Sequence, residues 1–456
     1  MKGAASLVAG GLLIAAALAA PWLGGAQTTL PHALWWLGGA LAAAFFIAVF
    51  GRLAAGRPIG IPPLAGIAAL FLLGCLGWWA TQPEPYFATA FGASHWTFLQ
   101  QRHPHSMVLL PRGERLGYFA CVILGFLSAI SLGRKDDFHK ALALAIGCSG
   151  MAVAVYAGGL AHLGWPALSW ALNDGGPERF NVCFSHHNSP PACLNLAWPL
   201  LVFGASGRFA WLCRIVPLVL VAIALPLSEN DAGVLIAGGL LLGGLLWRWI
   251  ALRGWLTPGR VRLVLGGVFV VILAGQGVLV SRMHKNAPDG WVSAEDSLLR
   301  SSARDAGLSA LADQRGDRLV PSPRSDRPAG WLAAARMAAD HPLIGAGPGA
   351  WVTRSALYSP DPLVNTFYLC RLFAHHDFLQ WAAEWGGLAA LAALVLFAGG
   401  LFRAAGRDAA PLGIVLALLG IALHSTVDSP LQNPALQLWT ALLLGLAGSE
   451  IRKSET

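Results

Sequence analysis

The run ALWWLGGALAAAFFIAVF, residues 33–50, contains no charged side chain and no proline. A bilayer core about 30 Å thick needs about 20 apolar residues to cross it as a helix. A soluble helix of that length would carry a polar face, because it buries only one stripe. None is visible here. The same pattern recurs in both directions, and we read about twelve spans near residues 5–24, 33–50, 60–80, 116–132, 141–162, 191–206, 211–227, 233–251, 262–280, 386–402, 411–427 and 434–449. Composition agrees, with 56% of residues hydrophobic and 12% charged, about half the charge of a soluble domain. The expected fold is an all-α polytopic membrane protein of about 12 transmembrane helices with one large extracytoplasmic loop containing short helices. That loop, residues 281–377, separates a membrane domain of nine spans (1–280) from one of three (378–456). The first run follows Lys2 and precedes small residues, as in a signal peptide. Its apolar body is long for that role, so we read it as an uncleaved span.

Basic residues orient the chain. With the N-terminus inside, sixteen of the 31 Lys and Arg fall in inner segments, four in the short outer connections and eleven in the long loop. Short loops carry the topological signal, and long ones cross largely regardless of charge. Both termini are therefore expected in the cytoplasm, with the long loop outside. The net charge of +8 then reflects topology; no basic groove interleaved with aromatics suggests nucleic acid. Ion-coupled transport is disfavoured, because the first nine segments lack Asp, Glu, Lys or His at mid-span, where such transporters place them. Twelve of the thirteen histidines fall on the outer side, His139 being the exception. Chemistry at the outer surface fits this distribution.

The polar loop and its flanks carry the candidate residues. Ser325, Asp326 and Pro328 signal a helix start and His341-Pro342 its end, with Arg327 and Trp331 one turn apart between them. At a helix N-terminus, Arg327 adds a bidentate fork to a ready anion site. Then come HPLIGAGPGAW (341–351) and AHHDFLQWAAEWGG (374–387). No βαβ unit surrounds GAGPG, so a tight turn folding the loop helix back over the membrane is its expected role. His375 precedes a helix starting near Asp377, where the positive helix end favours a neutral, proton-accepting imidazole. Asp377, Gln380 and Glu384 share one face of that helix, and contact either a bound substrate or a basic partner, or else brace neighbouring helices. His424 and Asp428, one turn apart in ALHSTVDSPLQNPA (422–435), either pair or brace the eleventh span. The paired histidines at 103 and 105, 186 and 187, 375 and 376 lie in three separate segments, a poor pattern for zinc. No CxxC pair is present, and no metal or other cofactor is expected.

Taken together, Arg-x-x-x-Trp before PLIGAGPG, the His375 segment, the Phe-x-x-x-Asn of FSHHNSPPA (184–192) and the His-Ser…Asp…Pro of 424–430 resemble the signature of the O-antigen ligase and polymerase superfamily. The resemblance covers about residues 180–435. It implies a bacterial inner-membrane enzyme, periplasmic at its active site, that moves a glycan from a polyprenyl-diphosphate carrier to an acceptor hydroxyl by inverting glycosyl transfer, without metal or nucleotide. It also implies Arg327 on the diphosphate, His375 as the base, and Asn188 in contact with donor or acceptor, with Arg179 a second phosphate ligand. Lipid A-core, a growing glycan or a protein could be the acceptor, membrane lipids being the surroundings. Three positions depart from the pattern. LSENDAGVL (227–235) has Asn230 and Asp231 where an Arg is usual, His376 stands where Asn, Ser or Gln follows the motif His, and Ala389 occupies a small-or-aromatic position. Two other readings stay open: a repeat-unit polymerase of the same superfamily, and a non-catalytic exporter or scaffold of glycan lipids.

Overall fold

The computed structural model describes residues 4–26, 33–81, 112–163, 184, 188–204, 208, 210–228, 230–253, 326–358, 373–405 and 412–449. The expected span at 262–280, loop residues 281–325 and the histidines at 103, 105, 186 and 187 lie outside these, as does Arg179. Among the described residues every regular element is helical: α1 (Ala4–Ala19), α2 (Ala33–Leu53), α3 (Pro63–Thr81), α4 (Arg112–Leu132), α5 (Asp136–Leu163), α6 (Ser189–Gly204), α7 (Ala210–Leu227), α8 (Asp231–Leu252), α9 (Asp326–Asp340), α10 (Ala350–Arg354), α11 (Asp377–Ala405), α12 (Leu412–His424) and α13 (Pro434–Gly448), with short 3-10 turns between some of them.

Among the described residues seven helices, α2, α3, α4, α5, α7, α8 and α11, are long and apolar enough to cross a membrane. The protein is a multi-pass membrane protein. Its surface argues the same way, since α8 turns Leu235, Leu242 and Leu252 outward at 76%, 69% and 88% exposure, a lipid-facing pattern and a poor one for water. The expected spans at 5–24, 191–206, 411–427 and 434–449 come out shorter, as α1, α6, α12 and α13 of 13–16 residues. For α12 and α13 the cause is visible. Residues 425–433 between them leave the helical path while staying mostly buried. Irregular backbone is tolerated at membrane depth only where protein surrounds it.

Helices approach closely where small residues allow it. A side chain at Gly445 of α13 would lie 2.6 Å from the Phe126 carbonyl of α4, and one at Gly413 of α12 would lie 2.6 Å from that of Pro199 in α6. The main core joins α1, α2, α4, α5, α6, α12 and α13. A smaller core, with Leu332 nearby, packs Ala333, Ala334 and Met337 of α9 against Trp351, Phe373 and Ala383, which seats the loop helix on α11.

Gly386 breaks α11 with φ 82° and ψ 164°. The kink frees backbone groups that the GAGPG segment takes up. Ala346 N–H donates to the Ala383 carbonyl at 2.8 Å, Gly347 N–H to that of Glu384 at 2.9 Å, and Gly387 N–H to that of Pro342 at 2.7 Å. Gly345, at φ 78°, passes so near that a Cβ would sit 2.4 Å from the Glu384 carbonyl oxygen. The expected tight turn is therefore a latch that repairs a broken span.

Candidate functional site

α9 starts at Asp326, so Arg327 and Trp331 project from the same side, four residues apart. Beneath them lie the entry to α11 and the buried 425–433 segment. Trp331 Nε1–H donates to the His375 carbonyl at 2.8 Å. One Arg327 guanidinium nitrogen donates to the Val427 carbonyl at 3.1 Å, and the other stands 3.8 Å from Asp428 Oδ2. His375 Nδ1 lies 2.9 Å from Asp428 Oδ1. Arg327 and His375, 48 residues apart in sequence, thus meet on one carboxylate.

Asp428 is fixed in place. It is buried, its Oδ1 also accepts the Ser429 N–H at 2.8 Å, and its own N–H donates to the His424 carbonyl. An Nδ1–H donated to this carboxylate selects the tautomer whose Nε2 lone pair is the basic one. The Arg327 side chain is 38% exposed and that of His375 20%, so both can be approached from outside while their partner cannot.

His375 has φ 54°, left-handed for a residue with a Cβ. That conformation costs about 1–2 kcal/mol and persists where surroundings over-determine it. Here the Trp331 bond holds its backbone and Asp428 its ring. His376, which stands where Asn, Ser or Gln was expected, caps α11: its Nδ1 accepts the Leu379 N–H at 3.3 Å. Burial against the Trp331 and Phe378 rings pushes its pKa down to about 4, which keeps that lone pair available.

Asn188 joins the same site from α6. A cavity of about 10 Å3, room for one water, is lined by Asn188, Ser189, Phe373, Asp428, Ser429 and Asn433. Asn188 is oriented by Asn230 Nδ2, which donates to its Oδ1 at 2.9 Å. Asn230 also caps α8 through the Gly233 N–H. The position where Arg is usual thus holds a helix cap that braces a site residue. His424 sits one turn below Asp428, fully buried, with neither ring nitrogen hydrogen-bonded among the described residues; the two residues are joined through backbone.

Asp377 and Glu384 are buried and are not among the residues lining that cavity. Asp377 accepts from Leu431 N–H at 2.8 Å and Gln432 Nε2 at 3.2 Å. Glu384 accepts from Trp351 N–H at 3.1 Å and Gln380 Nε2 at 3.4 Å. For these two, of the open alternatives, the geometry displays the bracing contacts. Sequence reasoning missed Arg115. It is buried, donates to the Pro348 carbonyl at 3.3 Å and attracts the Glu384 carboxylate, so it clamps the GPG turn from α4. Its signal was an arginine at the very edge of an apolar run, next to the span read at 116–132, costly at membrane depth unless partnered.

The family model for O-antigen ligase matches residues 216–394. Over that segment the chain is similar to O-antigen ligase. The matched segment contains α9, the latch, His375 and the α11 kink, while Asn188 and Asp428 reach the same site from outside it. No curated relative matches the chain. Among the described residues, no three His, Cys, Asp or Glu converge as a metal site would require.

Proposed function

We propose that this O-antigen ligase-like protein transfers a glycan from a polyprenyl-diphosphate-linked donor to an acceptor hydroxyl at the periplasmic face of the inner membrane, with both termini in the cytoplasm. The observation that carries the reading is the meeting of Arg327 and His375 on Asp428. The N-terminal ends of α6, α11 and α13 gather around it, and helix N-termini favour an anion.

Arg327 holds the diphosphate and offsets charge as the bond to the anomeric carbon breaks. The acceptor oxygen attacks that carbon from the opposite face, which inverts it. Its proton passes to His375 Nε2, and the bonding pair leaves with the diphosphate, which needs no protein acid. Asp428 orients the imidazole and stabilises the imidazolium. Asn188 meets a sugar hydroxyl or bridging water beside it. Asp377, Glu384 and Arg115 hold the kinked span and its latch in register. Arg179 supplies a further phosphate contact. The test replaces His375 or Arg327 by Ala and measures glycan transfer in membranes. Loss of transfer at normal protein level supports the assignment; full transfer by both variants overturns it.

A further inference from the structure

Gln380 sits near the start of α11 and is fully buried. Its side chain reaches back past the beginning of the helix. Oε1 accepts the Ala374 N–H at 2.8 Å, and Nε2 donates to Glu384 Oε1 at 3.4 Å. A backbone N–H only donates and an ionised carboxylate only accepts, so these two partners admit one orientation of the amide. The pattern is close to a capping box, in which Gln or Glu at the third helical position returns to the N–H of the cap residue. Here Leu379 holds the third position and His376 is the cap. Gln380 starts one residue deeper and ends beyond the cap, at Ala374.

That target adjoins His375, whose left-handed backbone is thereby bracketed. Ala374 N–H goes to Gln380 on one side, and the His375 carbonyl receives Trp331 on the other. The Trp331 bond comes from the loop helix, whereas the Gln380 bond comes from the buried face of α11 that leads to the kink. Glu384, next along that face, also accepts the Trp351 N–H from α10, just after the GAGPG turn. Its own carbonyl receives Gly347 of the latch, and Arg115 attracts its carboxylate from α4. One run of buried contacts therefore joins the latch to the residue before His375. Ala374 and Gln380 are 0% exposed and Glu384 4%, so water cannot replace a lost partner. A buried N–H left unmade costs more than its bond is worth.

We propose that Gln380 is a positioning residue for His375, and that Glu384 makes its action depend on a closed GAGPG latch. With the latch seated, Glu384 fixes the Gln380 amide with its oxygen toward Ala374. With Glu384 displaced, the amide loses the partner that sets its orientation. The His375 segment then relaxes from its strained backbone, and Nε2 leaves the acceptor. The inference deepens the proposed mechanism and rests on His375 being the base.

The test reads two quantities on the purified full chain: amide hydrogen exchange at Ala374, which needs no turnover, and kcat and KM for transfer from a lipid-linked donor. In the unmodified chain the Ala374 amide should be protected; free exchange there overturns the proposal before any variant is made. Gln380→Met, similar in shape, should release that amide and lower kcat roughly tenfold, the contribution of one buried hydrogen bond, with donor KM unchanged. Gln380→Glu sets two carboxylates against each other and should lose a similar factor. Adding Glu384→Gln exchanges the two side chains. The carboxylate then accepts from Ala374 and from the new amide, whose oxygen accepts from Trp351. This pair should recover kcat to within about threefold of the unmodified chain, as coupled neighbours do. A residue that only fills space gives no such recovery. An exchanged pair no faster than Gln380→Glu alone, or a released Ala374 amide with unchanged kcat, overturns the proposal. His375→Ala separates the two readings. If it abolishes transfer while Gln380→Met changes nothing, positioning alone fails; if it leaves transfer intact, the base assignment fails and the positioning with it.

Discussion

Asp428→Asn removes a charge and almost no volume, which makes it the sharpest probe of the site. In the proposed transition state His375 is gaining a proton 2.9 Å from the Asp428 carboxylate. Two unit charges about 4 Å apart interact by about 4 kcal/mol at an effective dielectric of about 20. The carboxylate is buried and the imidazole side chain only 20% exposed, so screening removes a minor part. Losing that attraction raises the barrier by about 3–4 kcal/mol, two to three decades in kcat. The amide can also present its NH2 to Nδ1 and enforce the wrong tautomer, a loss in the same direction. Donor KM should stay level or fall, because Arg327, now without its carboxylate neighbour, keeps its full charge for the diphosphate. The assay is transfer from purified lipid-linked donor with kcat and KM resolved, alongside the thermal midpoint of the variant in detergent. Combining it with His375→Ala should add little further loss, since residues acting as a unit are strongly non-additive. A kcat within threefold of the parent at unchanged stability refutes the reasoning, and so does a rise in KM alone, which would make Asp428 a binding group.

Other consequences are as direct. Gly345→Ala should cost well over the 1–2 kcal/mol of a left-handed backbone, because its Cβ meets the backbone of Glu384 and Gly386 at 2.4 Å and neither can yield; an unchanged thermal midpoint would remove the latch. Asn230→Ala should lose about 1 kcal/mol with the α8 cap and raise KM by releasing Asn188, whereas a stability loss with normal kinetics would separate Asn188 from substrate. His376 is held neutral, with its pKa lowered from 6.5 to about 4. A depressed folded pKa contributes stability above the unfolded value that is lost as pH falls through the folded one. Stability should therefore decline from pH 6.5 downward, by about 3 kcal/mol near pH 4. His376→Asn keeps an N-cap acceptor and should flatten that slope; parallel pH profiles of melting for the two proteins would refute the assignment.

What could be read from the chain was what a single helix determines. Ser325, Asp326 and Pro328 announce α9, His341-Pro342 ends it, and α11 begins at Asp377, all from cap and breaker chemistry within a few residues. The shared face of Asp377, Gln380 and Glu384 follows from the helical repeat, and all three are buried. Hydropathy finds depth, but it cannot tell a helix from a buried irregular strand of chain. So the break between spans ending near 427 and starting near 434 was legible, but not that residues 425–433 stay mostly buried and carry Asp428 into the site. Partnership is harder still. His375 and Asp428 are 53 residues apart, and Arg115 meets Pro348 across 233; no local periodicity joins them. The Arg-x-x-x-Trp spacing lies between these cases. A helix alone explains why positions 327 and 331 share a face. Why the second must be Trp depends on an indole N–H reaching the carbonyl of a left-handed His375. If so, Trp331→Phe, which keeps the ring and removes only that donor, should loosen His375 and lower kcat while leaving Arg327 and donor KM in place. An unchanged kcat would mean that Trp331 serves packing alone, and that the strained backbone of His375 is held by the Asp428 contact without it.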